Sequence, residues 1–85
     1  MGFEQMVFFL SKTSKKYLSK LEKDIQLKIV SAIEGLPDQG DIQKMRGQYH
    51  PNTFRLRIGR FRVLYMRDED TIKILDIDTR GDIYK

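Results

Sequence analysis

Four arginines within eight residues form the part of the chain that is best suited to chemistry. They lie in the segment FRLRIGRFRVLY, from Phe54 to Tyr65, and are Arg55, Arg57, Arg60 and Arg62. Each carries a planar guanidinium group that stays charged in proteins and can bind two phosphate oxygens at once. Binding of a polyanion such as a nucleic acid is therefore the first function to consider.

Apolar residues alternate with these arginines, which is the pattern of a β-strand rather than of a charged tail. Side chains two residues apart share a face of a strand, so Arg55 and Arg57 stand together. Gly59–Arg60 predicts a two-residue type II′ turn, which brings Arg62 back to the same face. The turn leaves Arg60 itself outside this cluster.

Three guanidinium groups on one face repel one another unless an anion lies among them. That anion could be a bound polyanion, or it could be a carboxylate of the protein itself. The sequence offers three nearby carboxylates for the second role: Asp76, Asp78 and Asp82. Cross-strand ion pairs of this kind are common and contribute little stability. From the charge distribution alone, the two interpretations have equal weight.

The excess positive charge is confined to the middle of the chain. Residues 1–41 carry six lysines and six acids, residues 42–67 carry seven basic groups and no acid, and residues 68–85 carry three basic groups and six acids. The basic middle includes Lys44 and Arg46 ahead of the hairpin. The lysines of the first helix, among them Lys12, Lys15 and Lys16, form a solvated face that could also attract a polyanion.

Two residues near the C-terminus could join the cluster. Arg80 adds a guanidinium group, and Tyr84 adds a phenol that can donate or accept a proton. Taken alone, Arg80 is a surface charge and Tyr84 is an aromatic that closes the sheet edge. His50 is the only histidine, and without a serine or cysteine partner it is a loop residue. We find no metal-binding or cofactor motif, and we expect no cofactor.

The apolar pattern predicts an α+β fold in the order β-α-α-β-β-β, as a single domain over residues 1–85. Ser11 or Thr13 caps the first helix, Asp24 caps the second, and Pro37 ends it. Residues 38–53 are predicted as a connection. The strands are predicted at 6–10, 54–58, 61–66 and 71–78. The helical hairpin covers one face of a small antiparallel sheet, and the arginines project from the other face.

Composition excludes several classes of protein. The chain has no cysteine, so a disulfide framework and thiolate chemistry are excluded. The apolar run at residues 6–10 is too short for a signal peptide or for a membrane span, which needs about 20 residues. We therefore expect a soluble, cytoplasmic protein.

Four segments together resemble the RelE/ParE superfamily of bacterial and archaeal toxins, and the RelE branch in particular. They are FLSKTSKKYLSKL, IQKMRGQYHPNTFRLRIGRFRVLY, IKILDID and RGDIYK. The second is similar to the family's Leu-(Lys/Arg)-Gly segment with its arginine-rich hairpin, and the last to an Arg-x-x-x-Tyr ending. The resemblance extends over nearly the whole chain.

The resemblance implies a toxin of a toxin–antitoxin pair that cuts mRNA in the ribosomal A site and so inhibits translation. The 2′-hydroxyl attacks the adjacent phosphate without a metal ion. By position in the family pattern, Arg62 and Arg80 stabilise the phosphorane, Arg55 and Arg57 bind the backbone, and Tyr84 stacks on a base or moves a proton. Contacts to RNA or the ribosome would come from Lys44, Arg46, Arg60, Lys12, Lys15 and Lys16. The implied partner is an acidic, partly disordered antitoxin that wraps the toxin.

The sequence departs from the RelE pattern at Arg55 and Arg57, where lysines are usual. Arginine is a poor acid or base because its pKa stays above about 12. Proton transfer then falls to Tyr84 or to the ribosome. Two other functions fit the same fold: a ParE-like inhibitor of DNA gyrase, and a non-catalytic domain that binds RNA or protein.

Overall fold

The computed structural model describes residues 6–79 and contains two helices and one five-stranded sheet. The elements are β1 (Val7–Leu10), α1 (Lys12–Ser19), α2 (Lys23–Glu34), β2 (Asp41–Lys44), β3 (Thr53–Ile58), β4 (Phe61–Arg67) and β5 (Thr71–Asp78). The strand order in the sheet is β1-β5-β4-β3-β2. In the described part of the chain, neither helix is long and apolar enough to cross a membrane.

The predicted α+β class is confirmed, with two additions to the predicted sheet. Residues 41–44 form the edge strand β2, which lies inside the segment predicted as a connection and pairs with β3. Only Ile42 of this strand is apolar, so its pattern is weak and main-chain pairing with β3 holds it. In addition, β1 pairs with β5 in parallel, which makes the sheet mixed rather than wholly antiparallel.

The first helix begins as predicted, and the second does not. The Ser11 hydroxyl accepts a hydrogen bond from the Ser14 N–H at 3.1 Å and lies 2.9 Å from the carbonyl oxygen of Leu75, which ties α1 to β5. Ser11 is therefore the N-cap of α1. The prediction of Asp24 as the second cap is wrong, because α2 begins after Glu22, whose side chain makes no capping bond. Asp24 lies in the first turn, where its charge favours the helix dipole.

One apolar core lies between the helices and the sheet. Ile29, Ile33 and Leu36 of the helical side are buried against the central strands. The sheet side of the core consists of Leu56, Ile58, Phe61, Val63, Tyr65, Ile72, Ile74 and Ile77. On β3 and β4 these residues alternate with the arginines, so the packing of the core fixes which face the arginines occupy.

The chain enters β2 through a glycine that no other residue could replace without strain. Gly40 has a φ of +116°, and a Cβ atom added there would lie 2.6 Å from Cδ1 of the buried Leu56. A left-handed backbone and a close contact therefore coincide at the residue before Asp41. The conformation of Gly40 thus places β2 next to β3.

Candidate nucleic-acid interface

The face of the sheet turned away from the helices carries a row of four charged residues, one on each of four neighbouring strands. Asp41 of β2 lies opposite Arg57 of β3, Arg57 lies opposite Arg62 of β4, and Arg62 lies opposite Asp78 of β5. We call these four residues the charged row. Two cations thus lie side by side in the middle, and one carboxylate lies at each end.

Asp41 forms ion pairs with two arginines of this face. Its Oδ2 accepts a hydrogen bond from Nε of Arg57 at 3.0 Å, and its Oδ1 lies 3.8 Å from Nη2 of Arg55. Asp41 and Arg57 are about half exposed, at 53% and 45% of their side-chain area. Asp78 is held locally as well, since its Oδ1 accepts a short hydrogen bond of 2.6 Å from the Thr79 N–H.

Arg55 is more deeply buried than Arg57 on this face. Only 16% of its side chain is exposed, and its Nε is buried with no hydrogen-bond partner among residues 6–79. Its cross-strand neighbour on β4 is Leu64, which lies in turn opposite Asp76 of β5. A buried and unsatisfied donor costs about 1–3 kcal/mol. An arginine with this cost is typical of a site where its charge binds a ligand.

The β3–β4 hairpin places Arg57 and Arg62 at one end of the sheet. The turn consists of Gly59 and Arg60, and the φ of Gly59 is +58° while that of Arg60 is negative. This is the pattern of the predicted type II′ turn. Arg60 lies outside the charged row, with its Cζ 5.5 Å from the centroid of the Phe61 ring.

An apolar area lies on the same face toward the other edge of the sheet. Phe8 and Leu10 of β1 pack on the core, so the alternate residues Val7 and Phe9 point to the sheet face turned away from the helices, which we call the open face. There they are 47% and 56% exposed. Phe9 lies opposite Lys73, and Met66 is opposite Lys73 on the other side. An aromatic ring beside cations is a surface on which a base or a partner side chain can stack.

The remaining predicted site residues are distributed over the molecule. Lys44 and Arg46 are exposed at the end of β2 and just after it. Lys12, Lys15 and Lys16 are exposed on α1, in the layer that covers the opposite face of the sheet. Arg80 and Tyr84 lie outside the described residues. The structure thus brings Arg55, Arg57 and Arg62 together and leaves the helix lysines away from them.

Sequence reasoning missed Asp41. The expected internal partners were Asp76, Asp78 and Asp82, whereas the ion pairs of Arg55 and Arg57 use a residue of the unpredicted strand β2. The alternation of Asp41, Ile42 and Gln43 was the available signal, and it is only three residues long. Within residues 6–79, no three His, Cys, Asp or Glu side chains are grouped so that they could hold a metal ion.

Comparisons with known proteins agree with this architecture. The family model described as the ParE toxin of the type II toxin–antitoxin system parDE matches residues 8–84. A search of curated protein sequences finds no match. Solved structures match with high coverage, and several of them are toxin–antitoxin complexes.

RelE–RelB complexes from three organisms illustrate the similarity. One from Methanococcus jannaschii matches with 30% identity and a TM-score of 0.71, covering 89% of this chain and 94% of that one. The RelBE2 complex from Mycobacterium tuberculosis matches with 26% identity and a TM-score of 0.74, covering 89% and 99%. The complex from Pyrococcus horikoshii matches with 26% identity and a TM-score of 0.71, covering 93% and 98%.

The fold is therefore that of the RelE-like toxins, as predicted. The chain belongs to the RelE/ParE superfamily, as a member of the ParE toxin family of type II toxin–antitoxin systems.

Proposed function

We propose that this toxin is a ribosome-dependent endoribonuclease that cleaves mRNA and thereby inhibits translation. The observation that carries the proposal is the position of Arg57 and Arg62, which lie opposite each other, with Arg55 beside them, on the sheet face that is turned away from the two helices. Two like charges directly opposite are unfavourable in the free protein. A phosphodiester placed between them removes that cost and is held by two planar donors.

The reaction that fits these groups is attack of the RNA 2′-hydroxyl on the adjacent phosphorus. The new bond joins the 2′-oxygen to phosphorus and the bond to the 5′-oxygen breaks, which leaves a 2′,3′-cyclic phosphate and a 5′-hydroxyl. The proton of the 2′-hydroxyl passes to a base, and the leaving oxygen takes up a proton. The phosphorane between these steps carries an added negative charge, which Arg57 and Arg62 stabilise from fixed positions.

Arginine itself does not exchange these protons, because its pKa is too high. We assign the proton transfers to Tyr84 or to groups of the ribosome. Arg80 is assigned to the phosphorane together with Arg62, and Lys44 and Arg46 to the RNA or ribosomal backbone. Rigid strands suit this task, since misplacement of a charged donor by about 1 Å can cost a hundredfold in rate.

A cognate antitoxin is the second partner that we propose. The matched RelE structures are complexes with RelB. The open face offers cations at the charged row and exposed apolar side chains at Val7 and Phe9. An acidic, partly disordered chain could cover both and fold as it binds. Co-expression of the adjacent open reading frame should suppress the toxicity of this protein.

Primer extension on translated mRNA tests the proposed activity. The wild-type protein should give new 5′ ends within the reading frame, and only when ribosomes are present. Arg62→Ala should abolish these ends, whereas Lys28→Ala, which removes one positive charge from the exposed side of α2, should leave them unchanged. Intact transcripts in arrested cells would show that the proposal is wrong.

Inhibition of DNA gyrase is the alternative, and the match to the ParE family model favours it. It predicts trapped complexes of gyrase with cleaved DNA, and it predicts no ribosome-dependent RNA ends. The arginine pair on the open face and the 26–30% identity to RelE structures favour the endoribonuclease. Both assays on one preparation decide between the two targets.

A further inference from the structure

We propose that Asp41 is a positioning carboxylate that sets the orientation of the Arg57 guanidinium for phosphate binding. This inference rests on the proposed endoribonuclease function and adds a residue to its site. Asp41 lies on the edge strand β2, directly opposite Arg57, and accepts the hydrogen bond from Nε at 3.0 Å. The same carboxylate approaches Arg55 at 3.8 Å. One acidic side chain thus contacts two of the three arginines of the open face.

Because Asp41 contacts Nε of Arg57, the two terminal nitrogens of the guanidinium remain available to a ligand. An arginine has five N–H donors, four of them on the two terminal nitrogens. In Arg57 these four make no hydrogen bond to a described residue, and the side chain is 45% exposed. Asp41 therefore fixes the guanidinium plane while the terminal nitrogens stay available for phosphate oxygens.

The charged row explains why such fixing is needed. Arg57 lies opposite Arg62, and repulsion between the two groups drives them apart when no anion is bound. Asp41 lies on the far side of Arg57 from Arg62 and counters this repulsion with a bond of defined direction. An exposed ion pair of this kind contributes little to folding stability, so its removal should leave the fold intact.

If Asp41 positions Arg57, removal of the Asp41 charge should strengthen RNA binding but slow turnover. Loss of the Asp41 charge makes the open face more positive, so RNA should bind more tightly. Loss of the fixed orientation of the Arg57 guanidinium should slow the chemical step, because its N–H donors are no longer held in the geometry that binds the phosphate. A residue that acts only through the fold would weaken both together.

The test compares Asp41→Asn with Asp38→Asn, which makes the same charge change at an exposed loop residue outside the charged row. For Asp41→Asn we expect RNA affinity at low salt to rise about two- to fivefold and the turnover of ribosome-bound mRNA to fall about tenfold. Asp38→Asn should leave turnover unchanged. Asp41→Glu keeps the carboxylate and should recover most of the rate.

A second readout does not depend on cleavage. The side-chain Nε–H of Arg57, assigned in NMR spectra by its loss in Arg57→Lys, should exchange slowly with water in the wild type and rapidly in Asp41→Asn. Unchanged exchange, or a parallel fall of affinity and turnover, would overturn the positioning role. If the wild type does not cleave mRNA, the proposed function fails by itself, while the exchange and affinity measurements still test the role of Asp41.

Discussion

Arg57 and Arg62 lie directly opposite each other on β3 and β4, and the residues opposite them on the outer strands are Asp41 and Asp78. Like charges that face each other across a sheet are destabilising. Within the free protein this pair of cations is therefore unfavourable, and the half-exposed Asp41 offsets little of that cost. It becomes favourable when a phosphate lies between the two guanidinium groups.

Replacement of Arg62 by lysine should separate charge from geometry. Arg62→Lys keeps the positive charge but loses the planar donor pair, so we expect cleavage to slow at least about tenfold, with stability changed by less than about 0.5 kcal/mol. Rates of ribosome-dependent cleavage and urea denaturation measure the two quantities. Arg67→Lys, the same change at the exposed end of β4, is the control and should stay within about twofold of the wild type. An Arg62→Lys variant with full activity would mean that charge alone is required there.

Arg55 should show a conflict between stability and function. Its Nε is buried without a partner in the described part of the chain, and only 16% of its side chain is exposed. Arg55→Met removes the unsatisfied donor and retains the packing, so the free energy of unfolding should rise by about 0.5–1.5 kcal/mol while cleavage falls. Arg57→Met, at a half-exposed position, is the matched control and should leave stability nearly constant. Destabilisation by Arg55→Met would show that the guanidinium group has a favourable structural role.

The sequence predicts the site on β3 and β4 well because two local signals agree there: the alternation of apolar residues and arginines, and the two-residue turn. Leu56 and Ile58 must face the core, and this alone fixes the face of Arg55 and Arg57; the two-residue turn then fixes the register of Arg62. Ser11 was predictable as a cap for a similar reason, since its hydroxyl precedes an amphipathic helix. Each of these features depends on residues close in sequence.

Long-range pairing accounts for what the sequence does not predict. The strand β2 has one apolar residue, and its existence depends on the main-chain bonds that β3 offers. Without β2, the ion pairs of Asp41 with Arg57 and Arg55 could not be foreseen. The parallel pairing of β1 with β5 likewise joins the first and the last strand of the described chain, so no local pattern encodes it.

Gly40 should be essential for the placement of Asp41. Gly40→Ala introduces a Cβ that would lie 2.6 Å from Leu56 Cδ1 at a φ of +116°, so we expect destabilisation by about 2–4 kcal/mol. Gly47→Ala is the control, because Gly47 also has a positive φ, of +83°, but has no atom within 4 Å of the added Cβ. It should cost only about 1 kcal/mol. Equal losses in thermal or chemical denaturation would show that the contact with Leu56 is relieved by a small shift.

Stability at alkaline pH should depend on Tyr65. Burial raises the pKa of its phenol from 10.0 to about 12, and the nearby Arg67 only partly opposes this. The folded state therefore favours the neutral phenol. The contribution of Tyr65 to the free energy of unfolding is complete below pH 10, where the phenol is neutral in both states. It falls as Tyr65 ionises in the unfolded chain and is lost once the pH passes about 12. We expect a loss of about 2 kcal/mol over this range in denaturation experiments, and Tyr65→Phe should remove that part of the pH dependence. Tyr49→Phe, in the loop between β2 and β3, is the control and should retain the wild-type slope. If Tyr65→Phe and the wild type lose stability in parallel between these pH values, Tyr65 is not the residue that weakens the fold.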